Sequence, residues 1–207
     1  MFIVGLYRSG TTLLYALLNQ HPQISLMYEV DALAIPCVEP SAARSPRWLL
    51  RNELWNRVLT RHGIDPSEVR QSKDARGLYQ AFAGRNGAIY CGEKAPAYAR
   101  WLGKVARTFP EAHFVIILRE LPEVYQSVRD AGKRGSRFFG RKGQLPRTLW
   151  SQRVLMRDVR RLEARSIPVF FLRYRELVTD AAAVSHRVCD FLELEFTAKM
   201  ASLQSAD

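Results

Sequence analysis

Cysteine and long apolar runs are scarce in this sequence, and their scarcity excludes two kinds of protein. The three cysteines, Cys37, Cys91 and Cys189, lie far apart and show no paired spacing. We therefore expect reduced thiols, without a structural disulfide or a metal cluster. The first apolar run begins at Phe2, which leaves no room for a signal peptide, and no later run approaches the ~20 residues of a membrane span. These features predict a cytoplasmic protein without a membrane-spanning segment.

Acidic residues are also few compared with basic ones. The 207-residue chain has 20 acidic and 31 basic residues, so its formal net charge is +11. Arginine supplies most of the positive charge, and its planar guanidinium suits bidentate binding of phosphate-like oxyanions. The composition therefore indicates a polyanionic ligand, either a small molecule or a polymer. An apolar content of 47% is sufficient for one core, and we expect a single domain over residues 1–207.

Short apolar runs alternate with segments of helical periodicity along the chain. Residues 113–119, HFVIILR, give the strongest signal of a buried strand. Further strands are expected at 2–5, 88–91 and 167–174, and a strand or extended segment at 24–28. This alternation predicts an α/β fold of three layers, in which helices flank a parallel sheet as in P-loop NTPases. Two segments stand apart: a mainly helical insertion over about 36–85 and a basic loop over about 129–147.

The segment VGLYRSGTTLLYALL, residues 4–18, has the form of a phosphate-binding loop. Gly5 and Gly10 are separated by four residues, and the loop lies between an apolar run and a helical pattern. In such a turn, successive backbone N–H groups and the helix N-terminus create a site for an anion. Further donors are the side chains of Arg8, Ser9, Thr11 and Thr12. The segment therefore predicts a phosphate site.

This loop differs from that of an ATPase at one position. Thr11 stands where a nucleotide P-loop has the lysine that reaches the outer phosphates. No apolar run ends in an aspartate suited to Mg²⁺. Both features disfavour a P-loop kinase or another NTP-using enzyme, which stays an alternative. A second alternative is a non-catalytic basic protein that binds polyanions.

Three segments of the chain, in this order, carry a recognisable set of motifs. GLYRSGTTLLYALLNQHP contains Arg followed by Ser-Gly-Thr-Thr, and FVIILRELPEVYQSVRD has Arg119 at a strand end with Ser127 eight residues later. FFLRYRELVTDAAAVSHRVCDFLEL adds a later strand and helix. Together they resemble the sulfotransferases that use 3′-phosphoadenosine-5′-phosphosulfate (PAPS), of the bacterial and heparan type. The resemblance covers about residues 2–194, although Arg175 stands where an acid is usual in the family.

The resemblance implies a binding site for PAPS in two parts. The 5′-phosphosulfate would be held by Arg8, Ser9, Gly10, Thr11 and Thr12, and the 3′-phosphate by Arg119 and Ser127. The implied reaction is in-line transfer of a sulfuryl group from PAPS to a hydroxyl or amine of an unknown acceptor. Because arginine and lysine can supply the positive charge that such a transfer needs, we expect no metal.

The same resemblance assigns catalysis to Glu29, Arg8 and Lys94. Glu29 ends the segment QISLMYE, where heparan-type and many bacterial sulfotransferases have a glutamate near the acceptor, so we expect it to be the base. Arg8 would stabilise the leaving group. GEKAPAYAR is similar to the Glu-Lys-(Ser/Thr)-Pro-x-Tyr segment of those enzymes, so Lys94 would bind the sulfate or acceptor and Glu93 would orient it. Glu93 and His21 remain alternative bases.

The stretch of residues 129–147 carries seven basic residues and one acid. This composition suits a mobile lid over a polyanion or a docking surface for an acidic acceptor. Phe138 and Phe139 would suit nucleic acid, but the basic residues stand beside the predicted cofactor clamp, so we treat nucleic acid as a secondary interpretation. The expected partner is a small-molecule or glycan acceptor, and nothing in residues 36–85 selects its class.

Overall fold

The computed structural model describes residues 1–31, 33, 57, 59–65, 67, 75–136, 139 and 143–202. In this part of the chain, five parallel strands form one sheet with the order β2-β3-β1-β4-β5. The strands are β1 (Phe2–Gly5), β2 (Ile24–Tyr28), β3 (Tyr90–Lys94), β4 (Phe114–Leu118) and β5 (Val169–Arg173).

Helices connect these strands, as the alternating sequence pattern predicts. The described α-helices are α1 (Thr11–Leu18), α2 (Ala75–Asn86), α3 (Leu102–Thr108), α4 (Leu121–Lys133), α5 (Gln144–Glu163), α6 (Tyr174–Thr179) and α7 (Ala181–Phe191). Short 3₁₀ helices cover Pro96–Arg100 and Ala198–Ala201. Pro122 lies in the first turn of α4, where its missing N–H is not needed, and the Asp180 carboxylate caps α7 by accepting from the Ala183 N–H at 2.8 Å.

Both faces of the sheet are buried, and this produces three layers. Side chains alternate between the faces along a strand, so Val115 and Ile117 of β4 lie on one side and Phe114 and Ile116 on the other. One face packs against α1 and α7, and the opposite face packs against α2, α3, α4 and α5. The α/β prediction is therefore confirmed.

The strand order places a crevice at the end of β1. This strand pairs with β3 on one side and with β4 on the other, and the chain crosses it between those two strands. In an open parallel sheet, ligands bind outside the carboxyl ends of the strands at such a reversal. The loop after β1, together with the ends of β2, β3 and β4, therefore forms the expected site.

One strand differs from its predicted position because it contains buried charges. The apolar pattern predicts a strand at 88–91, whereas β3 covers Tyr90–Lys94. Glu93 and Lys94 are both 0% exposed, so apolar character underestimates how far this strand extends. After β3, the 3₁₀ helix Pro96–Arg100 ends before α3 begins at Leu102.

The two predicted segments outside the core pattern are described only in part. Within the predicted helical insertion at 36–85, the structure describes α2 and a few residues before it, and the rest lies outside the described residues. The basic stretch at 129–147 is not wholly a loop, because α4 continues to Lys133 and α5 begins at Gln144. Phe138 lies outside the described residues, and Phe139 is described.

Replacement of Leu14 by alanine tests the burial of α1 against the sheet. Leu14 is 0% exposed, so Leu14→Ala leaves a cavity in the core and should lower the free energy of unfolding by about 3 kcal/mol. Leu13→Ala, at the half-buried neighbouring position in the same helix, is the matched control and should have a clearly smaller effect. Urea unfolding of both variants gives the comparison, and equal losses would contradict the described packing.

Candidate active site

A cleft of about 550 Å³ opens at the carboxyl ends of the central strands. Its lining comes from the loop after β1, the end of β2 and the residues that follow β3, β4 and β5. The lining residues are Tyr7, Arg8, Gly10, Thr11, Thr12, Leu13, Tyr28, Glu29, Pro96, Arg119, Phe139 and Tyr174. Most of the residues predicted for donor binding and catalysis are therefore brought together in one place.

The loop after β1 is a tight turn that is stabilised by hydrogen bonds within the loop. Arg8 has φ +70° and Gly10 has φ +93°, both in the left-handed region. A Cβ atom on Gly10 would lie 2.4 Å from the Tyr174 ring, so glycine is required there for both conformation and space. The Ser9 N–H and hydroxyl both donate to the Leu6 carbonyl, at 3.1 and 2.5 Å. Ser9 therefore stabilises the loop, and its hydroxyl does not point into the cleft.

The two predicted phosphate elements contact each other directly. The Arg8 Nε donates to the Ser127 hydroxyl at 3.1 Å, and the Arg119 guanidinium donates to the Arg8 carbonyl at 3.0 Å. Arg119 also pairs with Glu123 at 3.0 Å and lies over the Tyr174 ring at 4.2 Å. The first N–H groups of α1 have no partner within the helix, and they begin at the same loop. Positive charge and N–H donors thus converge on one side of the cleft.

Glu29, in the lining of the cleft, is paired with the buried side chain of Lys94. The Lys94 Nζ donates to a Glu29 carboxylate oxygen at 2.5 Å and to the Thr12 hydroxyl at 3.3 Å, and it lies 3.4 Å from the centre of the Tyr28 ring. The Lys94 side chain is 0% exposed, whereas that of Glu29 is 33% exposed to the cleft. No donor in the described part of the chain binds the second oxygen of Glu29. That oxygen is available to a substrate.

Glu93 points away from Lys94, because neighbouring strand residues face opposite sides of a sheet. Its carboxylate accepts from the Asp31 N–H at 2.5 Å, from the Tyr98 hydroxyl at 2.8 Å and from the Tyr79 hydroxyl. Burial raises the pKa of Glu93 to about 8, and burial together with the Glu29 charge raises the pKa of Asp31 to about 7. Glu93 therefore holds the turn after Glu29 and does not orient Lys94 by contact.

His21 is engaged elsewhere in the fold. Its Nε2 lies 2.8 Å from the Glu195 carbonyl, and its Nδ1 accepts from the Gln23 N–H at 3.1 Å. The residue is 3% exposed and does not line the cleft. These contacts identify His21 as a structural residue that joins the end of α1 to the segment after α7, and they exclude it as a base in this arrangement.

Several aromatic residues of the site are missing from the sequence prediction. Tyr174 lies over Gly10 and under Arg119, and Tyr28 lies against the Lys94 ammonium. Tyr7 and Phe139 pack edge to face, with ring centres 6.1 Å apart, beside Arg8. A sequence signal exists for two of them, since Tyr28 immediately precedes Glu29 and Tyr174 opens the segment YREL.

No three histidine, cysteine or acidic side chains in the described ranges lie close enough together to hold a metal ion. Within the same ranges, no helix combines the length and the apolar character that crossing a bilayer requires.

The fold and the cleft together define an α/β protein with a loop of P-loop type after β1, in which Thr11 stands at the usual lysine position and Arg8 supplies a cation nearby. Residues 1–198 match the sequence profile described as the sulfotransferase family, and the chain belongs to that family. It is a transferase, and the predicted resemblance is confirmed.

Similar proteins agree with this assignment. A Caenorhabditis briggsae relative named as a protein-tyrosine sulfotransferase is 22% identical over 204 residues, covering 97% of this chain and 67% of the relative. Mouse protein-tyrosine sulfotransferase 1 is 29% identical over 126 residues, which are 58% of this chain and only 31% of the mouse protein. The solved sulfotransferase domain from the curacin biosynthetic pathway has a TM-score of 0.71 at 16% identity, covering 100% of this chain and 77% of that domain. At that identity, the last similarity concerns the fold alone.

The buried Glu93 carboxyl predicts a stability that decreases as pH rises. Between about pH 4.5 and 8, the folded protein keeps a proton that the unfolded chain has released, so the free energy of unfolding falls through this range. Glu93→Gln imitates the protonated side chain and should reduce this slope, although Asp31 retains part of it. Chemical unfolding at a series of pH values measures the slope.

The matched control for this change is Glu111→Gln. Glu111 is a surface residue whose side chain is 61% exposed and paired with Arg76. Its substitution should leave the slope of stability against pH unchanged. If Glu93→Gln leaves the slope equally unchanged, the Glu93 carboxyl is ionised in the folded protein at neutral pH.

Proposed function

We propose that this chain transfers a sulfuryl group from PAPS to a hydroxyl or amine of an acceptor, without a metal. The observation that carries the proposal is the junction of the two phosphate elements, where Arg119 donates to the Arg8 carbonyl and Arg8 donates to Ser127. A donor that carries anionic groups on both the 5′ and the 3′ oxygen of its ribose needs two anion sites at a fixed separation. A ligand with one terminal triphosphate has no use for the second site.

The proposed donor site uses both parts of this junction. The 5′-phosphosulfate lies against the N–H groups of Gly10, Thr11 and Thr12 at the start of α1, with the Arg8 guanidinium beside it. The 3′-phosphate accepts hydrogen bonds from Arg119 and from the Ser127 hydroxyl. Its binding replaces the contact between Ser127 and Arg8. The cleft volume of about 550 Å³ is in the range of nucleotide-sized ligand sites. Ser9 contributes through the shape of the loop.

The proposed transfer is a single in-line displacement at sulfur. The acceptor oxygen or nitrogen attacks the sulfur, and the bond from sulfur to the bridging oxygen of the 5′-phosphate breaks. Glu29 takes the proton of the acceptor on its free carboxylate oxygen. The electron pair of the broken bond remains on the phosphate of 3′-phosphoadenosine-5′-phosphate, the leaving group. Arg8 stabilises that developing charge from the cleft, and the buried Lys94 ammonium adds positive charge behind Thr12, so the transfer needs no metal.

Lys94 connects the base to the phosphate loop in this proposal. Its ammonium binds Glu29 and Thr12 at the same time, at 2.5 and 3.3 Å. The carboxylate that accepts the proton is therefore held close to the loop that holds the donor, which fixes the approach of the acceptor. The acceptor enters from the outer wall of the cleft, where Tyr7, Pro96 and Phe139 provide an apolar surface. Small molecules, glycans and polypeptides can all present a hydroxyl there, and we propose that residues 1–207 act as one domain.

Calorimetric binding of 3′-phosphoadenosine-5′-phosphate tests the donor site. The intact chain should bind this bisphosphate more tightly than ATP with Mg²⁺, because the cleft has two separate anion sites and no P-loop lysine. Arg119→Ala should weaken binding by at least about tenfold, since a hydrogen bond to a charged group contributes about 1.5–3 kcal/mol.

Arg175→Ala is the matched control for that experiment. Arg175 shares the Glu123 partner of Arg119, but its side chain is 80% exposed and does not line the cleft. Its removal should leave the affinity for the bisphosphate nearly unchanged. Preference for ATP, or equal losses in the two variants, would contradict the proposed donor site.

Glu29→Gln tests the proposed base separately from donor binding. The amide keeps the shape of the side chain and an oxygen for Lys94 but cannot accept the proton, so turnover should fall by about 100-fold or more. Affinity for the bisphosphate should stay within about twofold of wild type, because Glu29 lies outside the anion sites. Sulfuryl transfer is followed with radiolabelled PAPS and an acceptor found by screening, and unchanged turnover would remove Glu29 from this role.

A further inference from the structure

The surface between α3 and α5 carries a second concentration of positive charge, separate from the donor cleft. A cavity of about 230 Å³ lies there, and we call it the arginine groove. Its basic lining residues are Arg100, Lys104, Arg107, Arg157, Arg161 and Arg165. Neither the phosphate loop nor the Glu29–Lys94 pair lies in this groove, so the proposed transfer chemistry does not account for it.

One buried carboxylate lies beneath these side chains. Asp158 is 5% exposed and accepts from the Gly103 N–H at 3.2 Å, and it pairs with Arg157 at 2.9 Å and with Arg161 at 3.5 Å. Asp158 fixes the positions of two guanidinium groups, but it neutralises at most one charge. In the described part of the chain, no carboxylate pairs with Arg100, Arg107 or Arg165. The groove thus has a large positive field and prepositioned donors, which favours an anionic ligand.

A smaller cavity shares lining residues with both the active-site cleft and the arginine groove. This cavity of about 120 Å³ has Leu6, Val128 and Ala99 in its lining and is mainly apolar. It shares Tyr7, Pro96 and Phe139 with the cleft, and it shares Arg100 with the arginine groove. A chain bound at the cleft therefore has an apolar cavity next to it and a basic groove beyond.

The shape of the arginine groove suits a single extended chain. The axes of two packed helices are about 8–10 Å apart, which leaves no room for a nucleic-acid duplex between them. Arg157 and Arg161 are four residues apart, a rise of about 6 Å along α5. Alternate residues of an extended polypeptide repeat at about 6.6 Å and can match that spacing with carboxylates.

The order of the surfaces favours a polypeptide over other anionic chains. A polypeptide can present an apolar side chain to the middle cavity and acidic side chains to the groove, whereas a uniformly anionic glycan would leave that cavity unfilled. Single-stranded nucleic acid is bound mainly by stacking of bases on aromatic rings, and only half-buried Trp101 offers a ring among the groove residues.

We propose that the arginine groove is an exosite for an acidic segment of a polypeptide acceptor, which it holds while the acceptor hydroxyl lies at Glu29. Acidic side chains of this segment bind the guanidinium groups, and the residue between them and the hydroxyl occupies the apolar cavity. The role in acceptor binding rests on the proposed function, whereas binding of an acidic peptide to the groove is independent of it.

Peptide binding to the intact chain tests the exosite without any transfer reaction. The probe is a fluorescent peptide of alternating glutamate and glycine, compared with an equally long peptide of glutamine and glycine. The variant R107E/R165E reverses two groove charges that have no carboxylate partner in the described residues. It should weaken binding of the acidic peptide by about tenfold, because each surface charge contact contributes up to about 1 kcal/mol.

The control variant is R153E/R160E. Both residues are exposed on α5 outside the groove, and Arg160 lies in the last turn of its helix, as Arg107 does in α3. The control therefore matches the change in net charge and the effect on a helix end. It should bind the acidic peptide within about twofold of wild type. Equal losses in the two variants, or equal binding of the two peptides, would overturn the exosite.

Further measurements distinguish the possible ligands of the groove from one another, and the exosite from the proposed function. Binding of a heparin oligosaccharide and of a single-stranded oligonucleotide is measured with the same variants. If R107E/R165E weakens the binding of either one but not that of the acidic peptide, the polypeptide assignment is overturned. Affinity for 3′-phosphoadenosine-5′-phosphate is measured in the same samples and should be retained in both variants. If wild type fails to bind this bisphosphate, the proposed function fails, and the peptide comparison still decides whether the groove binds an acidic chain.

Discussion

The buried ammonium group of Lys94 determines how the parts of the cleft meet. A fully buried cation is tolerated only where an anion and further polar contacts replace its water. Glu29 at the end of β2 supplies the carboxylate, Thr12 at the start of α1 supplies a hydroxyl, and the Tyr28 ring covers the ammonium. The register that places Tyr28 opposite Lys94 in neighbouring strands is therefore also the register that satisfies the charge. One side chain thus links the sheet, the proposed base and the proposed phosphate loop.

The phosphate loop has a related dependence on Arg119. Arg8 has φ +70°, a left-handed conformation that costs a non-glycine residue of order 1 kcal/mol and persists only when its surroundings hold it. The guanidinium of Arg119 provides that support by donating to the Arg8 carbonyl at 3.0 Å. The proposed contact for one end of the donor therefore also maintains the backbone that receives the other end.

Local signals in the sequence were sufficient for the sheet and for the loop, but not for the partners of buried charges. The strand Phe114–Leu118 and the glycine positions of the loop follow from apolar character and from spacing, which short segments contain in full. The length of β3 could not be predicted in this way, because the Glu29 that stabilises Lys94 is 65 residues away in the sequence. His21 is of a residue type that often acts as a base. The partner that makes it structural, the Glu195 carbonyl, is 174 residues away in the sequence. Contacts of this range are fixed by the assembled fold.

The net charge of +11 includes basic residues in two different places, the cleft and the arginine groove, and they serve different purposes in our proposals. Among the described residues of the proposed donor site, Lys94 and Arg119 are each paired with a carboxylate, so Arg8 supplies most of the charge that has no carboxylate partner there. That balance suits a small nucleotide, because a cleft with a large positive field would retain the bisphosphate product. In the described part of the chain, Arg100, Arg107 and Arg165 of the arginine groove have no carboxylate partner, and the proposed transfer reaction does not need their charge. The proposed exosite therefore explains more of the basic composition of the chain than the proposed nucleotide site does.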